Sequence, residues 1–175
     1  MSVKNRRKPK KRRSGRHGTA PAGIKRKGPA VRALQPYLVV DDAARAIEFY
    51  TQAFGARETN RLTEPNGKVA HAELSVGKAA FMLADEHREF NALSPTTIGN
   101  SPVRFHLSVA DADAVIARAV AAGAKVLRPI KDEFYGERTG MILDPFGHSW
   151  FIAATIEEVS AEEVQRRFTA ALARR

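Results

Sequence analysis

An internal repeat with a period of 69 residues constrains the fold of this chain more than any other feature. In each copy, a short apolar strand is followed by an aspartate that can cap a helix, an amphipathic helix and three further strands separated by turns. Three positions recur at this spacing: Leu38 with Leu107, Asp42 with Asp111, and Ile47 with Ile116. A repeated module must bury the same apolar faces twice, so the pattern predicts an α+β fold of two tandem βαβββ modules.

The element pattern also predicts how the chain is divided. The two modules are predicted to span residues 33–84 and 102–156 of a domain that runs over 33–158. A linker that contains proline and glycine, residues 85–101, joins them. After the second module, a serine followed three residues later by a glutamate is typical of a helix start, which predicts a C-terminal helix within 159–175.

Alternation along the strands predicts which side of each sheet the helices cover. Apolar residues recur at every second position in two strands: Ala70, Ala72, Leu74 and Val76 in the first module, and Val103, Phe105, Leu107 and Val109 in the second. Because alternate strand residues point to opposite sides, these apolar sides should pack on the helices. The opposite sides, which we call the mixed faces, carry polar residues. The mixed faces of the two modules should curve towards each other around a cavity that contains polar groups.

Charge is divided unevenly along the chain. Residues 1–32 hold 13 of the 29 Lys and Arg and no Asp or Glu, which leaves 16 basic against 19 acidic groups in the remainder. A segment rich in Lys, Arg, Gly and Pro and free of aromatic residues predicts a disordered basic tail. Such a tail either contacts nucleic acid weakly and without sequence preference, or serves only as a solubilising extension.

Composition excludes several classes of protein. The chain has no cysteine, so disulfides, thiolate chemistry and Cys-rich zinc sites are excluded. No apolar run approaches the length of a transmembrane helix. We therefore expect a soluble, cytoplasmic protein with no membrane partner.

The second module closes with DPFGHSWFI, residues 144–152, and a duplicated βαβββ unit that closes in this way resembles the vicinal oxygen chelate superfamily. This superfamily includes glyoxalase I, bleomycin-resistance proteins and extradiol dioxygenases. The likeness also rests on AIEFYTQAFGA (46–56), HAEL (71–74) and FYGERTGMILDPFGHSW (134–150). The segment VSAEEVQRRF after the second module is similar to the PhnB-like branch. The resemblance implies paired half-barrels, a ligand cavity inside each, and commonly a homodimer.

Metal-dependent members of this superfamily take their ligands from the first and last strands of each module. The matching positions of this chain hold Gln35, Met82, Arg104 and Phe151, although a shift of one residue would replace Met82 by Phe81. A thioether, a guanidinium and a phenyl ring are not ligands for a hard divalent ion. The resemblance therefore implies a cavity without a metal cofactor.

A displaced metal site is an alternative. His71 and Glu73 are two residues apart on one mixed face, and His106 projects from the mixed face of the other module. Two histidines and one carboxylate suit a single divalent metal ion, or they form a hydrogen-bonded polar lining. His148 is expected instead on a helix-facing side, with its ring nitrogens satisfied.

The remaining candidate residues suggest a ligand. Arg104 and Arg138 could each anchor a carboxylate or phosphate through a bidentate contact, or pair with a neighbouring glutamate. Tyr37 and Phe151 could stack on a planar ligand, or could simply be core. We expect a small-molecule-binding protein whose ligand is anionic or bears a carbonyl group. The alternative is a metal-dependent lyase, isomerase or dioxygenase.

Overall fold

A computed structural model describes residues 31–173, so the predicted basic tail lies almost entirely outside the described residues. The first module contains β1 (Tyr37–Val40), α1 (Ala43–Phe54), β2 (Arg57–Thr63), β3 (Val69–Val76) and β4 (Ala79–Asp85). A short connection follows, with a 3-10 turn (Arg88–Phe90) and the one-turn helix α2 (Pro95–Ile98). The second module contains β5 (Arg104–Ser108), α3 (Ala112–Ala121), β6 (Lys125–Asp132), β7 (Glu137–Leu143) and β8 (Ser149–Thr155). A last helix, α4, spans Ala161–Leu172.

The two modules form two four-stranded mixed sheets with the same topology, which confirms the predicted α+β fold. The strand orders are β1-β4-β3-β2 and β5-β8-β7-β6, and only the first and last strands of each module are parallel. The register repeats with the 69-residue period, because Tyr37 lies opposite Met82 and His106 lies opposite Phe151.

The predicted helix caps account for the helix starts. The Asp42 carboxylate accepts a hydrogen bond from the Arg45 backbone N–H at 3.0 Å, and Asp111 accepts one from Ala114 at 2.9 Å. Each bond satisfies a backbone donor that the first turn leaves free. Ser160 caps α4 in the same way. No helix within residues 31–173 is long and apolar enough to cross a membrane.

One aromatic cluster joins the two modules. Tyr50 and Phe54 of α1 contact Trp150 of β8, with ring centroids 5.6 and 4.8 Å apart, and Phe81 of β4 lies 6.1 Å from the same ring. Phe81 and Trp150 belong to the helix-facing sides of their sheets, so both of these sides border one core. Consequently the two mixed faces point away from this core.

The structure corrects three details of the predicted strands. Ala70 is exposed rather than packed on a helix, because β3 bulges there: Val69 lies opposite Thr63 while His71 lies opposite Leu62. Val103 is also exposed, because β5 begins one residue later. The region predicted as a plain linker contains a 3-10 turn and α2.

Hydrogen bonds to Glu86 fix this connection in place. The Glu86 carboxylate accepts from the backbone N–H and the hydroxyl of Ser94 at 3.1 and 2.8 Å, and from the Thr97 hydroxyl at 2.6 Å. These bonds, with that from Thr97 the strongest, lower the pKa of Glu86 to about 2. The connection is therefore tied to the end of β4, and α2 packs against β1.

Candidate functional site

The first mixed face carries a chain of three polar side chains. The Tyr37 hydroxyl lies 2.9 Å from His71 Nδ1, and His71 Nε2 lies 3.5 Å from Glu73 Oε1. Burial raises the pKa of the Tyr37 phenol, although about half of this side chain is exposed. Met82 lies beside Tyr37 on the same face, whereas Phe81 is buried in the core. Met82, and not Phe81, therefore faces the polar side chains of the first mixed face.

Arg104 is the first residue of β5 and lies on the second mixed face, where it lines an open pocket of about 540 Å³. The walls of this pocket combine Ser149 and Leu143 of the sheet with Gly99, Asn100 and other residues of the connection. The Arg104 side chain makes no hydrogen bond or ion pair with another described residue, while the neighbouring His106 lies 3.9 Å from a Glu137 carboxylate oxygen. The pocket therefore contains a guanidinium whose charge no described side chain neutralises.

A second arginine on this face was not predicted from the sequence. The Arg128 guanidinium lies over the Phe151 ring, 5.1 Å from its centroid, and donates a hydrogen bond to the Thr139 hydroxyl at 3.1 Å. Its Nε is buried and has no partner among the described residues. The alternation of β6 could have indicated Arg128, but a register shift between Arg128 and Lys131 obscures that alternation.

Two predicted ligand-binding residues do not lie on the mixed faces. Arg138 projects from the helix-facing side, where it donates to Asp113 at 2.6 and 2.9 Å and to Asp132 at 2.7 Å. Hydrogen bonds to these two aspartates, first to Asp113, hold the pKa of Arg138 above its usual range. The prediction that Arg138 reaches the cavity is therefore wrong, since its strand neighbour Ala154 is a core residue. Gln35 is exposed and precedes β1.

Comparison with known proteins now identifies the family. The family model described as the Glyoxalase/Bleomycin resistance protein/Dioxygenase superfamily matches residues 31–152. The chain belongs to this superfamily. Uncharacterised proteins of Mycobacterium bovis and Mycobacterium tuberculosis are 43% identical over 136 residues, which cover 76% of this chain and 90% and 80% of theirs.

Solved structures of other proteins share the fold of this chain. A gene product of Arabidopsis thaliana is 30% identical with a TM-score of 0.59, over 71% of this chain and 99% of that chain. TioX from Micromonospora sp. ML1 is 25% identical with a TM-score of 0.55, over 73% of this chain and 99% of its own. The PhnB protein from Bacillus cereus, at 19% identity and a TM-score of 0.56 over 71% and 100%, shows the fold alone.

The side chains predicted as an alternative metal site lie on different faces. His71 and Glu73 share the first mixed face, but His106 lies on the second. Among residues 31–173, no three His, Asp or Glu side chains are grouped so that they could hold one metal ion. The alternative site predicted at these three residues is therefore not assembled within a single chain.

The polar contacts of the two mixed faces form two separate sets among the described residues. Their hydrogen bonds and ion pairs stay within one sheet: Tyr37 with His71 on the first, and His106 with Glu137 on the second. No hydrogen bond or ion pair between described residues joins the two faces.

The superfamily motif DPFGHSWFI has a structural role. The buried Asp144 carboxylate accepts four hydrogen bonds: from the Tyr50 hydroxyl at 2.8 Å, Trp150 Nε1 at 2.9 Å, and the backbone N–H groups of Phe146 and His148 at 3.0 and 2.8 Å. These bonds tie α1 of the first module to β8 of the second. The motif therefore stabilises the contact between modules.

His148 lies on the helix-facing side as predicted, but only one of its ring nitrogens is satisfied. Nε2 is 3.3 Å from the Val39 carbonyl oxygen, whereas Nδ1 is buried without a partner among the described residues. Burial lowers the pKa of His148, and the nearby Asp144 partly opposes this shift.

Proposed function

We propose that this protein binds a small anionic or carbonyl-bearing molecule at the second mixed face, without a metal ion. The observation that carries the proposal is the Arg104 guanidinium, which lines a 540 Å³ pocket and has no ion-pair partner among the described residues. An unpaired guanidinium offers a planar set of donors that fits a carboxylate or a carbonyl oxygen.

The surroundings of Arg104 favour an anion over a cation. A divalent ion in this pocket would face the positive charge of Arg104, which is unfavourable at short range. Leu127 and Leu143 supply apolar walls, and Phe151 lies on the same face. A concave site with apolar walls and a few convergent polar groups is typical of small-molecule binding.

The proposal includes a homodimer in which the first mixed face of one protomer covers the second mixed face of its partner. Both faces are open in one chain, and Tyr37 and His106 are each about half exposed on them. Pairing would bring Tyr37 and His71 towards the Arg104 pocket. Light scattering at micromolar concentration should show a dimer; a protein that remains monomeric would contradict this part of the proposal.

Native mass spectrometry tests the ligand and the metal together. The protein, Arg104→Ala and the control Arg88→Ala, which removes an exposed arginine of the connection, are purified in parallel with and without EDTA. We expect an anionic small molecule that is retained in EDTA and in Arg88→Ala, and whose occupancy falls about tenfold in Arg104→Ala, as for loss of one charged hydrogen bond.

A different result would favour an enzyme. Stoichiometric Ni, Zn, Mn or Fe that is lost on Glu73→Ala or His106→Ala would contradict the metal-free site. It would instead support a lyase, isomerase or dioxygenase whose ligands come from two protomers.

A further inference from the structure

A groove of about 620 Å³ lies along the outer edge of β5, away from the Arg104 pocket. Its lining comes from the turn between β3 and β4, from β5 and from the start of α3, and much of it is apolar: Phe54, Val76, Leu107, Val109 and Val115. The groove continues into a smaller cavity of about 120 Å³ that is lined by Phe81, Phe105 and Trp150. The groove and the Arg104 pocket share no lining residue.

The internal repeat shows that the groove at β5 corresponds to a surface of β1 that other residues of the protein cover. Leu38 and Val40 of β1 are 1% and 0% exposed, whereas Leu107 and Val109, at the equivalent positions of β5, are only partly buried. The same residue types at the same positions of the module thus remain accessible to solvent in one copy only.

Two features of the described residues, the His148 side chain and the helix α2, cover β1 and have no equivalent at β5. His148 reaches the Val39 carbonyl oxygen, and α2 packs against β1. The residue 69 positions before His148 is Ala79, whose methyl group carries no polar atom. The segment equivalent to α2 belongs to α4, where Phe168 instead stacks on Phe134 with ring centroids 5.8 Å apart.

The charged residues of the groove are mainly cationic. Lys78 lies in the turn between β3 and β4, and Arg118 lies on α3; neither side chain makes a hydrogen bond or ion pair with another described residue. Arg118 occupies the position equivalent to Phe49, which is buried in the core of the first module. Asp111 is the one acidic residue of the lining, and its carboxylate caps α3.

We propose that this groove is a second ligand-binding site, which takes an anion with a long apolar body, of the chemistry of a fatty-acid carboxylate. The hydrocarbon chain would lie against Leu107 and Val109, where it replaces the cover that β1 receives from the protein itself. The carboxylate would accept hydrogen bonds from Lys78 and Arg118. This site does not depend on the ligand proposed at Arg104.

Dodecanoate is a suitable probe, and the single tryptophan is a suitable reporter, because Trp150 lines the adjoining cavity. Titration of the full-length protein with dodecanoate should give a saturable change in its fluorescence. We expect Lys78→Ala and Arg118→Ala each to weaken the affinity about tenfold, which corresponds to one charged hydrogen bond. Dodecanol, which has the same chain without the charge, should bind more weakly to the protein and equally to both variants.

Two controls separate this site from the Arg104 pocket. Arg104→Ala and Arg88→Ala should leave dodecanoate binding unchanged. The proposal is overturned if no saturable change occurs, or if Lys78→Ala and Arg118→Ala bind dodecanoate as tightly as the unaltered protein does. It is also overturned if Val109→Asp converts a dimer to a monomer and dodecanoate does not bind, since the groove would then be an interface between copies.

Discussion

Replacement of Asp144 by alanine is expected to lower the free energy of unfolding by about 4 kcal/mol. The change removes the acceptor of four hydrogen bonds, including those of the Tyr50 hydroxyl and the Trp150 indole, in a site where Asp144 is 3% exposed. A buried donor that loses its partner costs about 1–3 kcal/mol, and the costs at neighbouring donors are only partly additive. Urea denaturation followed by tryptophan fluorescence measures the loss.

Two variants control for the loss of a carboxylate. Asp144→Asn keeps one acceptor oxygen but turns an amide towards other donors, so an intermediate loss is expected. Asp132→Ala removes an exposed carboxylate that pairs with Arg138 and should cost much less. Equal losses for Asp144→Ala and Asp132→Ala would show that the hydrogen bonds between the modules do not stabilise the protein.

Substitution of Gly136 by alanine is expected to lower the free energy of unfolding by about 3 kcal/mol, for two reasons. Gly136 has a φ of +88°, where an L-residue is strained. An added Cβ would also overlap the Glu157 carbonyl oxygen and lie 2.7 Å from Val159 Cγ2. The segment that leads to α4 would have to move away, although it is held by hydrogen bonds from Ile156 and Glu157 to the Gly136 carbonyl oxygen.

Gly67→Ala is the matched control for this substitution. Gly67 has a φ of +90°, but a Cβ at this position would meet no atom within 4 Å. Gly67→Ala should therefore lower the free energy of unfolding by about 1 kcal/mol, which comes from backbone strain alone. The difference between the two glycine variants in urea denaturation measures the steric contribution, and equal costs would contradict the clash at Gly136.

Local signals in the sequence were sufficient to predict the modules. Asp42 and Asp111 were identified as helix caps because the residues that follow them show helical periodicity, and both caps form. Alternation placed His71 and Glu73 on one side of β3, where they lie. The bulge at Ala70 was missed because it depends on the register with β2, which no property of β3 alone determines.

Contacts between distant segments limited the prediction of the site. The sequence around Arg138 does not indicate which side of β7 this arginine faces, because its ion-pair partners lie elsewhere in the chain. Its partner Asp113 is 25 residues away, on α3. Arg128 was missed for a related reason, since its contact with Phe151 spans two strands of the sheet.

The aromatic cluster that joins the two modules also determines whether one module would be stable by itself. A half-length protein with one module would expose Phe49, Tyr50 and Phe54 to water, because these rings lie against residues of the second module such as Phe146 and Trp150. It would be stable only as a pair associated through these rings. In the present chain the two modules are covalently joined, so this encounter is intramolecular and has a high effective concentration. The interior of the protein thus corresponds to the interface that two separate modules would form.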